Sequence, residues 1–180
     1  MVENTIRKFR WFWPWQDEQE EAWLRSMSQK GRHLLSVGLA GIYRFQAGEP
    51  CDYIYRLDYQ IHKKKDQQDY LQLFSDAGWE YIGDMSAWHY FRKEAKEGEV
   101  PEIFTDVESK VAKYKRVLTY LFFFAVIIIA VSHNVWFDYP YSWWFVTQAI
   151  YLLLIASLVY SIIRLLLRIR HLRRIWKEHR

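Results

Sequence analysis

Residues 117–163 read VLTYLFFFAVIIIAVSHNVWFDYPYSWWFVTQAIYLLLIASLVYSII, a stretch that contains no Lys, Arg or Glu and has Asp138 as its one acid. Its second half, 143–163, makes about 31 Å of helix at 1.5 Å per residue, enough to cross a hydrocarbon core of about 30 Å. The first half, 117–132, gives only about 24 Å by the same rise. Adding 133–137 brings it to spanning length, with His133 and Asn134 near the outer interface. Two transmembrane helices joined by a short loop are expected, and the flanks orient them. Lys110, Lys113, Lys115 and Arg116 precede the first, and Arg164, Arg168, Arg170, Arg173, Arg174, Lys177 and Arg180 follow the second, while the loop has no cation. An excess of Lys and Arg marks the cytosolic side, so both termini are expected there, with Trp136, Phe137, Tyr139, Tyr141, Trp143 and Trp144 as an outer aromatic belt.

Beyond the second span, Leu165, Ile169, Leu172 and Trp176 recur at helical spacing, with Arg164, Arg168, His171 and Arg174 on another face. This basic amphipathic tail, 164–180, places Arg164, Arg168, Arg170, Arg173, Arg174 and Lys177 where anionic lipid would meet them. It either lies along the inner leaflet or runs on into the cytosol. Within the span, the Gln148 amide calls for a hydrogen-bond partner, local or on another helix, and Ser157 with Ser161 gives a small-xxx-small spacing that permits close helix approach.

The charge is divided just as sharply. Residues 1–105 hold 14 Lys and Arg against 17 Asp and Glu, whereas 106–180 hold 11 against 4. The basicity belongs to the membrane segment, and a nucleic-acid footprint, which needs cations gathered on a folded surface, is not expected. Cys51 is alone, so neither an internal disulfide nor a Cys-rich metal site can form. The N-terminal stretch, with Arg7, Lys8 and Arg10 before a short Trp-rich run, lacks the apolar core of a signal peptide.

The first 105 residues contain an internal repeat. A shift of 47 positions sets Trp23 on Tyr70, Leu24 on Leu71, Met27 on Phe74, Gly31 on Gly78, Leu34 on Tyr81, Leu35 on Ile82 and Tyr43 on Tyr90. Each copy, about 7–46 and 53–93, reads as β-α-β-β. Strands are expected at 9–13, 33–39, 42–46, 53–59, 79–84 and 87–93 from their alternating aromatic faces. Asp17 with Glu20 has the pattern of a capping box, Asp66 opens the second helix, and Gly31 and Gly78 are placed to close the helices in the left-handed conformation. The expected fold is α+β: a duplicated antiparallel sheet with both helices on its inner side, then a juxtamembrane helix at 106–116 capped by Thr105 and Asp106, then the two-helix hairpin.

No phosphate loop, dinucleotide fingerprint, nucleophile elbow or zinc-protease motif is present, and the six histidines are scattered, so no cofactor, metal site or catalytic residue is assigned. The polar residues that alternate with the aromatic ones, Arg10, Arg44, Arg56, Asp58, Glu80 and His89, are the candidate ligand or partner face. On a sheet covered on one side only, that face is either a recognition cleft or simply wet.

Glu21-Ala-Trp23-Leu24 with Gly31, Tyr55-Arg56-Leu57-Asp58-Tyr59, Ala77-Gly78-Trp79-Glu80, Trp88 to Phe91, and Ile103-Phe104-Thr105-Asp106 with Glu108-Ser109, followed by paired membrane helices, resemble the domain of unknown function 2812 family. The resemblance implies a small bacterial plasma-membrane protein and carries no activity with it. The doubled β-α-β-β order also looks like bacterial effector-binding domains resembling the gyrase-inhibitory protein, which bind small molecules in a cleft; fold alone does not give function. The expected function is a non-enzymatic sensing or adaptor module that binds a small amphiphile or protein at the inner leaflet and is open to homo-oligomerisation. An accessory subunit of a membrane transporter and a lipid-headgroup enzyme are the alternatives.

Overall fold

The computed structural model describes residues 5–38, 41–61, 64–96, 103, 107–138 and 144–178. They fall into two compact units, 1–106 and 107–180.

The first unit runs β1 (Thr5–Phe9), α1 (Asp17–Ser28), β2 (Arg32–Gly38), β3 (Ile42–Ala47), β4 (Tyr53–Tyr59), α2 (Lys64–Asp76), β5 (Glu80–Met85) and β6 (Trp88–Glu94). These make two antiparallel three-stranded sheets rather than one, ordered β1-β3-β2 and β4-β6-β5. Each β-α-β-β copy closes its own sheet by setting its last strand in the middle. Gly31 and Gly78 end their helices at φ 68° and 79°, a conformation that costs glycine no Cβ clash. At Gly31 a Cβ would also collide with the Gly48 carbonyl oxygen.

The two copies match in detail once the register is read from the hydrogen bonds. Leu34 faces Phe45 and the pairing then slips by one at a bulge; Tyr81 faces Phe91 and slips at the same place. The Trp23 ring lies 5.7 Å from Phe45 and 4.8 Å from Tyr43; Tyr70 lies 6.0 Å from Phe91 and 5.3 Å from His89. The structural counterpart of Tyr43 is therefore His89, not Tyr90 as the shift of 47 had it. The β2–β3 connection is one residue longer than the Ser86–Ala87 turn between β5 and β6, and a slip of one carries every side chain to the other face.

The helices do not share one side of a sheet. α1 sends Leu24 and Met27 into a cluster with Leu34, Tyr43 and Phe45 of the first sheet and Tyr55, Leu57 and Tyr90 of the second. α2 covers the opposite face of the second sheet, where Phe74 stacks on Phe91 at 4.3 Å between centroids beside Ile54 and Trp79. The second sheet is thus covered on both faces, while Ile42, Arg44 and Gln46 on the outer face of the first stay exposed. α1 also closes the open edge of β4. The Leu57 N–H donates to Glu21 Oε1 at 2.9 Å, and the Tyr53 N–H donates to Ser28 Oγ at 3.2 Å. An edge strand covered in this way presents no free row of donors to another chain.

The first strand also differs from expectation. It ends at Phe9, where the Arg10 N–H donates to the Gly41 carbonyl, so the aromatic run that follows leaves the sheet. Alternation alone could not separate an aromatic strand from an aromatic strap.

The second unit is α3 (Val107–Asp138) packed along α4 (Trp144–Glu178). Two stretches of these helices, Val107–Val131 and Phe145–Glu178, are long and apolar enough to cross a membrane. Ser161, Leu165 and Ile169 are buried at four-residue spacing, whereas Phe122, Phe123, Leu152 and Leu153 are more than half exposed. The Ser161 hydroxyl donates to the Ser157 carbonyl at 2.8 Å, and the buried Gln148 amide nitrogen makes no hydrogen bond among the described residues. Residues 107–116 of the expected juxtamembrane helix belong to α3, and the expected basic tail, as far as Glu178, is the unbroken end of α4. Thr105 and Asp106, expected to cap α3, and the side chains of the outer aromatic belt lie outside the described residues.

Candidate functional site

Asp17, Glu20 and Glu21 lie on the same helical face as Leu24, Met27 and Ser28, and all six are buried. Glu20 does not cap the helix. Its Oε1 accepts hydrogen bonds from the Tyr43 hydroxyl at 2.7 Å and the Tyr90 hydroxyl at 2.8 Å, so one carboxylate joins both sheets. Burial pushes the Glu20 carboxyl above its ordinary range, an effect the two hydroxyls oppose and Asp17 reinforces. The tyrosines are raised in turn, first by burial and then by Glu20. Glu20 Oε2 has no hydrogen-bond partner among the described residues.

Above this carboxylate is a cavity of about 190 Å³ walled by Trp11, Phe12, Trp13 and Pro14, by Met85 and Trp88 of the second sheet, and by Asp17, Glu20 and Tyr90. The strap is held by a reciprocal turn. The Gln16 N–H donates to the Trp13 carbonyl at 2.8 Å, and the Trp13 N–H donates to Gln16 Oε1 at 3.0 Å. Trp13 stacks on Trp15 at 5.2 Å and meets Trp11 edge-on at 5.9 Å. On the other wall, Met85 and Trp88 face each other across the tight turn in which Ser86 takes φ 60°. A non-glycine residue in the left-handed region costs about 1 kcal/mol or more, a strain that tends to be kept where the turn serves a site.

The residues expected to form a ligand face are divided by the two-sheet architecture. Arg56 Nη1 lies 3.3 Å from Glu21 Oε2, and Asp58 accepts from the Tyr70 hydroxyl at 2.9 Å beneath α2. His89 pairs with Asp58 in register and its Nε2 lies 3.0 Å from the Gln60 carbonyl, so these two do come together, but both are buried. Glu80 forms a two-bond pair with Arg92 at 2.7 Å on the opposite face. Arg44 stands across from Arg7 on the outer face of the first sheet. Arg10 does not line the cavity but touches one of its walls, its guanidinium 5.0 Å above the Phe12 ring and 5.2 Å from that of Trp23. Of the tail cations, Arg174 pairs with Glu178 at 3.0 Å and Arg164 sits over the Tyr160 ring at 6.0 Å.

The family model described as "Protein of unknown function (DUF2812)" matches residues 16–126. The chain belongs to this family. In this DUF2812 protein the match takes in α1, β2, β3, the whole second sheet and much of α3, while β1 and the strap at 11–14 lie ahead of it. No curated protein and no solved structure matches the chain. Among the described residues, no group of three or more His, Cys, Asp or Glu is arranged to hold a metal ion. The sequence pattern hides the cavity, because Asp17 with Glu20 reads as a capping box and Trp11 as part of a strand. The signal available was the spacing of Asp17, Glu20 and Glu21, which sets acids in line with Leu24 and Met27 on the apolar stripe.

Proposed function

We propose that the first unit of this DUF2812 protein is a non-enzymatic binding module for amphiphilic organic cations, tethered at the cytosolic face of a membrane by the α3–α4 hairpin. The observation that carries this reading is Glu20 beneath the aromatic cavity, with Oε1 held by two tyrosines and Oε2 without a hydrogen-bond partner among the described residues. Indole faces attract an organic cation through their quadrupoles, and a partly desolvated carboxylate supplies the counter-charge. The volume suits a head group rather than a whole drug-sized ligand, and the exposed Trp11 and Phe9 offer an apolar path for its tail. The basic flanks of the hairpin support the cytosolic orientation.

Decyltrimethylammonium, titrated below its micelle concentration against the full chain in nanodiscs and followed by tryptophan fluorescence, is expected to bind in preference to an uncharged detergent of equal tail length. Glu20→Gln should weaken it about tenfold or more, from the worth of a charged contact, and Trp88→Ala severalfold. Because the cation needs ionised Glu20, affinity should climb with pH through the raised range of that carboxyl. The stability term has the other sign: it is full below the unfolded-state pKa and is lost as pH rises through the folded one. Equal binding of the uncharged detergent, or a Glu20→Gln variant that binds as well as the parent, would sink the proposal.

A further inference from the structure

The cytosolic ends of α3 and α4 enclose a second cavity, of about 480 Å³, lined by Glu108, Val111 and Lys115 of α3 and by Arg173, Trp176 and Lys177 of α4. Arg173 and Lys177 are four apart on one helix, a like-charge spacing that destabilises a helix, and Lys115 is brought to them by the packing of the helices. None of the three cations has an ion pair among the described residues, whereas neighbouring Arg174 has Glu178. Three cations that line one cavity are explained by an anion within it. Lys115 is two residues ahead of Val117, where the apolar run begins, about 3 Å of helical rise. That places the Lys115 end of the cavity at headgroup depth.

We infer that this cavity holds the phosphate of an anionic phospholipid. Arg173 can bind phosphate oxygens through two parallel N–H bonds, with Lys115 and Lys177 as point charges. Glu108 would repel a second negative charge and accept a hydrogen bond from a hydroxyl, so a singly charged phosphodiester with a hydroxylated head, of the phosphatidylglycerol type, fits better than a phosphomonoester. The inference rests on the membrane tether proposed above and is independent of the cation site.

The full chain is first floated with phosphatidylcholine vesicles, and its lipid selectivity is then read by native mass spectrometry from mixed phosphatidylcholine–phosphatidylglycerol nanodiscs. Flotation without anionic lipid is expected from the hairpin alone; failure to float overturns the tether and this inference together. In floating protein, retention of phosphatidylglycerol should exceed that of phosphatidylcholine by about tenfold. The triple variant Lys115→Gln/Arg173→Gln/Lys177→Gln should lose that preference, and Arg7→Gln/Lys8→Gln/Lys30→Gln, which removes equal charge from exposed positions of the first unit, should keep it. Absence of a preference, or equal loss in both variants, overturns the site while leaving the tether standing. Saturable binding of free glycerol phosphate that phosphatidylglycerol does not displace would assign the cavity to a soluble anion and overturn the lipid assignment.

Discussion

Glu21→Ala should destabilise the first unit by about 3–5 kcal/mol, more than any other surface-adjacent substitution in it. The carboxylate does two tasks at once. Oε1 accepts the Leu57 N–H on the open edge of β4, and Oε2 faces the Arg56 guanidinium at 3.3 Å. Alanine takes the Glu21 acceptor from a buried backbone donor, a loss of about 1–3 kcal/mol, and removes the Glu21 counter-charge from a cation that is largely out of water. Arg56 keeps its bond to the Tyr55 carbonyl, so the charge stays where it is rather than swinging into solvent. Glu21→Gln retains an acceptor for Leu57 but not the counter-charge for Arg56, and should lose less than alanine. Urea unfolding of the detergent-solubilised chain, followed by tryptophan fluorescence, measures the difference. A loss below about half a kcal/mol for Glu21→Ala would mean that α1 does not seal this edge.

Phe45→Ala and Phe91→Ala should each cost about 3–5 kcal/mol, and their costs should be alike. Both rings are fully buried in the middle strands, opposite Leu34 and Tyr81 at matching bulges. Each packs beneath the corresponding residue of its own helix, Trp23 or Tyr70. The alignment by a shift of 47 would instead pair Tyr43 with Tyr90 and set Phe91 against Arg44. Arg44 is exposed, and Arg44→Ala should move stability by no more than about half a kcal/mol. The same unfolding experiment on the three variants therefore separates the two registers. Unequal phenylalanine costs, with Arg44 resembling Phe91, would show that the sequence shift describes the duplication better than the bulges do.

The β-α-β-β order, the left-handed glycines and the paired apolar helices were legible in the chain because each has a local cause: period-two aromatics, a helix that must stop, and runs long enough to cross a bilayer. The pairing of sheets was not, because a polar side chain that alternates with aromatic ones reads the same whether it meets water or the underside of another helix. Asp58 and His89 looked like a wet face and are roofed by α2. The candidate site was hidden for a related reason. An acid four residues before Leu24 resembles a first-turn carboxylate attracted by the helix dipole until two tyrosines from distant strands are seen donating to it.

Because α1 is walled by both sheets and α2 by one, the two helices should open by different routes in native-state hydrogen exchange. Leu73 on the outer side of α2 is 67% exposed, whereas Leu24 of α1 is entirely covered. The amides of α2 can then exchange through a local excursion that lifts one helix off Phe91 and leaves the rest intact, while those of α1 wait for a cooperative event that separates the two copies. A duplication that began as two equivalent helices has produced a protected one at the centre and a labile one at the margin, and α2 amides should turn over well before those of α1 as denaturant is added in the native range.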